Sequence, residues 1–272
     1  MISMIQQKNK SKNGISFHKT GKGEPVILIH GLGLRSESWE NQIKLLKKNY
    51  TVFAIDLPGH GKSKILSQRK VNLKSYCDEI IKFIKINRIN KPILVGHSIG
   101  ALITIEIAGL APSILKCGVA ISPIYKKSLK ALKEIKARAK EIRENPTEKV
   151  MVDILIKRWF ANSKSKKIIK CSNFIKKLLM LNMKFNYKGY SIAYDIFSKL
   201  EGNSLNTIKK ITIPMFYVTG EKDLNSTPLM SKKLAKINNN KYKVIKGARH
   251  ILQSTHSELF NSYLIKFIKG LD

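Results

Sequence analysis

Apolar positions along the chain fall into two regimes. Over residues 1–123, short unbroken apolar runs alternate with stretches whose apolar residues recur at helical spacing. The runs centre on Val26-Ile27-Leu28-Ile29, Val52-Phe53-Ala54-Ile55, Ile93-Leu94-Val95 and Val119-Ala120-Ile121. Unbroken apolar character of this length suits strands buried on both faces of a parallel sheet. Residues 13–21 alternate instead and are bounded by turn residues, which predicts an edge strand or hairpin. Ser36 is expected to cap a helix through about Lys47, with Trp39, Ile43 and Leu46 inward. Over 72–87, Leu73, Tyr76, Ile80, Ile81 and Ile84 share one helical face.

From about 124 to 206 no strand-like run occurs. Helical segments at 128–143, 147–160, 168–183 and 187–200 follow one another, with Pro146 as a break. Most of the Met and aromatic residues here (Met151, Trp159, Phe160, Met180, Met183, Phe185, Tyr190, Tyr194, Phe197) have core spacing, and the remainder would line an apolar pocket. Strand-like runs return at 213–220 and 242–245, and an amphipathic helix at about 257–268 follows. Alternating strands and helices predict an α/β fold whose central sheet is mostly parallel and covered by helices. Ligands would then bind at the carboxyl ends of the strands. The core is expected over 1–123 and 207–272, with 124–206 as an inserted helical cap.

Charge adds less than its size suggests. The 272 residues carry a formal charge of +33, but only seven of the 51 basic residues are Arg. Abundant Lys with Ile and Asn is what compositional drift in an AT-rich coding sequence produces. Arg, the preferred phosphate and base reader, is scarce, and no nucleic-acid module with interleaved aromatics is present. No nucleic-acid partner is expected, although attraction for anionic substrates follows in any case. No apolar run has the length of a membrane span, and the first 14 residues lack the apolar core of an export signal, so a cytoplasmic location is expected. Cys77, Cys117 and Cys171 are odd in number and lack metal-ligand spacing, which predicts reduced thiols and no metal site.

Candidate chemistry begins at Gly96-His97-Ser98-Ile99-Gly100, between an apolar run and a helical pattern. A strand, a tight turn and a helix around Gly-x-Ser-x-Gly form a nucleophile elbow that exposes the serine hydroxyl. The Ile99 amide, at the helix N-terminus, could face a developing oxyanion, and Leu32 in the glycine-rich loop after the first buried strand could supply a second amide. A serine needs a base and a group to orient that base. His250 and Asp223, each in a loop after a late strand, complete the chain order Ser, Asp, His. Asp56 is expected to bond the Pro58-Gly59-His60-Gly61 turn, with His60 structural. Glu221 is a rival acid whose place at a strand end favours a structural role.

His30-Gly31, the stretch Asp56-Leu57-Pro58-Gly59-His60-Gly61-Lys62-Ser63, the elbow, Gly220-Glu221-Lys222-Asp223 and Gly247-Ala248-Arg249-His250 together resemble α/β-hydrolase-fold enzymes. The resemblance covers the chain outside the cap and implies a cofactor-free serine hydrolase. Its roles fall on Ser98, Asp223 and His250, with Leu32 and Ile99 as oxyanion donors. Arg249 stands where such enzymes usually carry Gly. Arg158-Trp159-Phe160 and Gly189-Tyr190-Ser191-Ile192-Ala193-Tyr194 are similar to 3-oxoadipate enol-lactonases and related capped carboxylesterases. That likeness implies a small ester or lactone substrate, with Arg158 and Trp159 as substrate contacts and a carboxylate for Arg158 to hold. Two alternatives stay open: an esterase for a methyl ester on an acidic acyl carrier, and a non-turnover small-molecule receptor.

Overall fold

A computed structural model of the chain describes residues 8–66, 71–144, 148–161 and 163–271. Its strands are β1 (Asn9–Lys10), β2 (Ser16–Thr20), β3 (Glu24–Ile29), β4 (Tyr50–Ile55), β5 (Ile93–His97), β6 (Cys117–Ile121), β7 (Met215–Gly220) and β8 (Lys241–Ile245). They form one sheet in the order β1-β2-β4-β3-β5-β6-β7-β8. Only the β1–β2 and β2–β4 pairs are antiparallel; the rest of the sheet is parallel.

The unbroken apolar strands are covered on both faces. Side chains alternate across a strand, so Ile27 and Ile29 of β3 join one core and Val26 and Leu28 the other. The first core lies under α2 (Leu73–Ile86) and α3 (Ile99–Leu110), through residues such as Phe83 and Leu102. The second lies under α1 (Glu40–Leu46) and a C-terminal helix, Ser257–Lys269, through Leu46, Phe260 and Leu264. Cys77 and Cys117 are buried and unbridged. At the far edge, β8 exposes Lys241 to Val244, and its lysines discourage pairing with another strand.

Between β6 and a short helix, α7 (Leu205–Lys209), the described residues form helices and no strand: α4 (Leu129–Glu144), α5 (Glu148–Phe160) and α6 (Lys166–Lys199). They pack around a third core that includes Ile142, Met151, Leu179 and Met183, joined by Leu34 and Ile251 from the sheet's loops. The chain enters and leaves this insertion at adjacent points. The Lys127 amide donates to Glu201 O at 2.8 Å, and the Lys127 ammonium donates to the carbonyls of Phe197 and Leu200 at the end of α6. Burial pulls that ammonium down to about 7.

Two expectations change. Ser36 is not an N-cap: a 3-10 turn, Ser36–Trp39, precedes α1, and the Ser36 amide donates to Asp56 Oδ1 at 2.9 Å. The helices expected at 168–183 and 187–200 are both present within α6, which a kink at Asn186 (φ −135°, ψ 30°) divides into two helical stretches. There the Asn186 side-chain amide donates to Gly61 O, and Asn182 Oδ1 accepts the Gly61 amide, each at 2.9 Å, so the bend docks α6 on the turn after β4. Met180 and Phe185 lie in neither the core nor the pocket; they are 44% and 68% exposed. Pro146 lies outside the described residues.

Candidate active site

Ser98 sits between the end of β5 and the start of α3 with φ +55° and ψ −114°, in the positive-φ half of the backbone map where an L-residue is strained. The sequence allows this because strand and helix almost touch. A Cβ added to Gly96 would lie 2.0 Å from Gly100 O, and one on Gly100 would lie 2.4 Å from Ile29 O. The Ser98 amide donates to Ile121 O at 2.9 Å, which ties the turn to β6.

Asp223 lies in the turn after β7, 3% exposed. Its Oδ1 accepts the amides of Asn225 (2.8 Å) and Ser226 (3.1 Å), while Oδ2 meets His250 Nδ1 at 2.9 Å. Burial works against the ionised carboxylate, but neighbouring His250 and these hydrogen bonds outweigh it and hold Asp223 below its ordinary range. A carboxylate can only accept, so Nδ1 carries the proton and His250 Nε2 is left free. Glu221 instead accepts the Gly247 amide at 2.9 Å and braces the turn leading to His250.

The glycine-rich loop after β3 is held from beneath by two imidazoles. His30 Nε2 accepts the Leu57 amide at 2.9 Å and His60 Nε2 accepts the Gly33 amide at 3.2 Å. Their Nδ1 atoms donate to Gly31 O (2.8 Å) and Pro58 O (3.2 Å). Burial lowers His30 to about 3 and His60 to about 4, so both rings stay neutral and keep these tautomers. Asp56 beside them accepts from the Lys62 amide at 3.0 Å and from Lys8 Nζ at 2.7 Å. Burial opposes its charge, but Lys8 pulls its carboxyl down to about 2.

These parts meet at a cavity of about 790 Å³ between the sheet edge and the insertion. Ser98, Leu32 and His250 line it from the core, and Trp159, Tyr190 and Tyr194 from the insertion. The Trp159 ring lies 5.7 Å from that of His250. Among the described residues no hydrogen bond joins Ser98 to His250, although their side chains share the cavity wall; contacts of this kind tighten when substrate is bound. The Leu32 and Ile99 amides have no protein acceptor among the described residues. The wall is cationic, with Lys126, Arg138, Arg158 and Lys233 against Glu201. Arg158 Nε and the Tyr190 hydroxyl are buried without a protein partner, and Arg138 donates to the Tyr194 hydroxyl at 3.3 Å.

Arg138 and Ser122 also belong to this neighbourhood, yet nothing in the sequence separates them from ordinary residues. Arg138 is one cation in a Lys-rich helix. Ser122 reveals its place only through the fold: it sits past the end of β6 with φ +50°, and its carbonyl accepts the Ser226 hydroxyl at 2.7 Å.

A mostly parallel sheet with an elbow serine and a buried Asp–His pair at its carboxyl edge is the architecture of α/β hydrolases. Residues 24–257 match the family model for the alpha/beta hydrolase fold, and the chain belongs to that family of hydrolases. It is 30% identical over 262 residues to the (E)-2-((N-methylformamido)methylene)succinate hydrolase of Acinetobacter baylyi, covering 96% of each chain. It is 26% identical to the pimeloyl-[acyl-carrier protein] methyl ester esterase of Legionella pneumophila, over 94% of this chain and 99% of that protein. Its fold is shared with the enol-lactonase of Burkholderia xenovorans, with a TM-score of 0.84 at 18% identity over 97% of this chain and 100% of that one. Among the described residues, no helix is long and apolar enough to cross a membrane.

Proposed function

We propose that the chain hydrolyses a small, carboxylate-bearing ester or lactone through an acyl-enzyme. The observation that carries this reading is the Asp223–His250 pair at 2.9 Å, facing the cavity that holds the strained Ser98. Ser98 attacks the carbonyl carbon while His250 Nε2 takes its proton. Asp223 fixes the tautomer and stabilises the imidazolium. The Leu32 and Ile99 amides receive the oxyanion, each a donor type worth about 3 kcal/mol in such sites. His250 then protonates the leaving oxygen and activates the water that releases the acid.

Residues 124–206 act as a cap that closes the acyl site. The cationic wall and the buried, unpartnered Arg158 Nε support an anionic substrate, with Arg158 and Trp159 in contact with it and Arg138 nearby. The relative named for a substituted succinate is in keeping with this. The relative named for a carrier-bound methyl ester keeps the carrier reading as the alternative, since an acidic carrier would suit the basic surface.

Wild type and Ser98→Ala are compared on 3-oxoadipate enol-lactone and on an uncharged short-chain aryl ester. Replacing Ser98 is expected to lower kcat by about 10⁴-fold or more on either, with the anionic lactone the better wild-type substrate. Turnover by Ser98→Ala at the wild-type rate rules out the mechanism. A wild-type preference for the uncharged ester removes the anionic substrate.

A further inference from the structure

His97 precedes the elbow serine, and nothing so far gives it a role. It ends β5 beside Ile121 of β6 and is 1% exposed. Its Nε2 lies 2.9 Å from the backbone carbonyl of His250. A carbonyl can only accept, so Nε2 carries the proton and donates, leaving Nδ1 as a bare lone pair. That Nδ1 is buried without a partner among the described residues. It lies 2.6 Å from where a Gly31 Cβ would stand, and the His97 ring centroid is 4.9 Å from that of His250. One ring therefore adjoins the nucleophile along the chain, the oxyanion loop through Gly31 and the base through its carbonyl.

A buried polar atom left unpaired is costly. An aliphatic side chain would fill the same space without that cost, so the ring is poorly explained as packing. Its Nε2–H bond supplies what packing does not. His250 has two anchors: Asp223 at Nδ1, about which the imidazole can still pivot, and its own main chain. Ser122 Oγ also approaches the His250 carbonyl, at 3.2 Å. That contact is the longer of the two and comes from a hydroxyl that can rotate, whereas the His97 N–H is fixed by its buried ring. Burial and the neighbouring His250 lower His97 to about 3, so it stays neutral beside a base that becomes cationic during turnover.

We propose that His97 is a positioning residue: its Nε2–H bond to the His250 carbonyl sets the distance of the catalytic imidazole from Ser98 and the oxyanion loop. This rests on the serine-hydrolase reading of the site. A misplacement of about 1 Å costs on the order of 10²-fold in rate, so the effect belongs in kcat rather than KM.

The test uses His97→Gln, His97→Asn and His97→Leu in the full chain, with an aryl ester as substrate and a fluorophosphonate label to count active sites. The Gln amide nitrogen reaches the Nε2 position, the Asn amide only the Nδ1 position, and Leu has no donor. Per labelled site, kcat is expected to fall about 10- to 100-fold in the Asn and Leu variants, with KM within about twofold, and to return to within about threefold of wild type in the Gln variant. Wild-type kcat in His97→Leu, or a Gln variant as slow as the Leu one, overturns the proposal. Should the Leu variant fail to fold, the Asn and Gln variants, polar and close in volume, decide by the same difference. A wild type that neither turns over the ester nor takes the label overturns the hydrolase reading and this proposal with it. A wild type that does both, with His97 variants unchanged, overturns this proposal alone.

Discussion

The sheet and the helical insertion solve burial in opposite ways. In β3, β5 and β6, Val26 to Ile29, Ile93 to Val95 and Val119 to Ile121 have no exposed surface at all. The insertion buries one stripe of each helix and leaves lysines, and even Met180 and Phe185, on the other. The groups proposed to react follow the same division. In the sheet, position is fixed largely through backbone: amides on Asp223 and on the rings of His30 and His60, and carbonyls against glycines at the elbow. On the insertion side, the cavity wall is made of side chains, Trp159, Arg158, Arg138 and Tyr190. Backbone contacts tolerate little change, whereas side chains can be exchanged one at a time. On the proposed mechanism, the reaction belongs to the rigid region and the choice of substrate to the adaptable one.

Gly100→Ala attacks the rigid side most directly. Its Cβ would meet the Ile29 and His30 carbonyls at 2.4 and 2.8 Å, with no flexible side chain able to yield. The expected result is a loss of more than about 4 kcal/mol, seen as absence of a cooperative melt by circular dichroism. A melt close to wild type shows that the elbow can relax.

Acid should come next, and it acts through the sheet's loops. Below pH 6.5 an unfolded chain protonates His30, His60 and His97, whereas the folded chain keeps them neutral down to about 3, about 4 and about 3. The unfolded state then binds more protons, so stability falls with pH by up to about 1.4 kcal/mol per pH unit for each ring. Below the ordinary carboxylate range Asp56, held at about 2, adds a loss of the same sign that continues to that pH. Melting temperature should drop steeply from pH 6.5 to 4.5, and His60→Gln should flatten the slope. A flat profile places charged imidazoles in the folded loops.

The smallest effect is expected on the adaptable side. Phe185→Ser removes a ring that is 68% exposed and should change stability by less than about 0.5 kcal/mol. A larger change in urea unfolding gives this surface an unrecognised packing role.

Strands, elbow and Asp–His order were legible because each rests on local chemistry: unbroken apolar runs, glycines flanking a serine, and acid and base after successive strands. Ser36 was misread because its amide belongs to Asp56, 20 residues away, so tertiary structure took over a local cap. The break between the two helices of α6 is legible in the local pattern, but its partner is not, since Asn186 turns to Gly61, 125 positions back. Arg138, Ser122 and His97 carry no local mark; only the fold brings them beside the site. Residues bonded to distant backbone are the ones a one-dimensional pattern misses.

Lys127 ends one chain crossing and grips the other, holding Glu201 and the last carbonyls of α6 beside it. Topologically, the whole helical segment is therefore a single excursion that leaves the sheet and returns to the same spot. Closing such an excursion costs entropy that grows only with the logarithm of its length. Lineages can lengthen, shorten or replace it while strand order and elbow stay as they are. One hydrolytic scaffold can in this way acquire a new diet by exchanging its roof and leaving the machinery beneath intact.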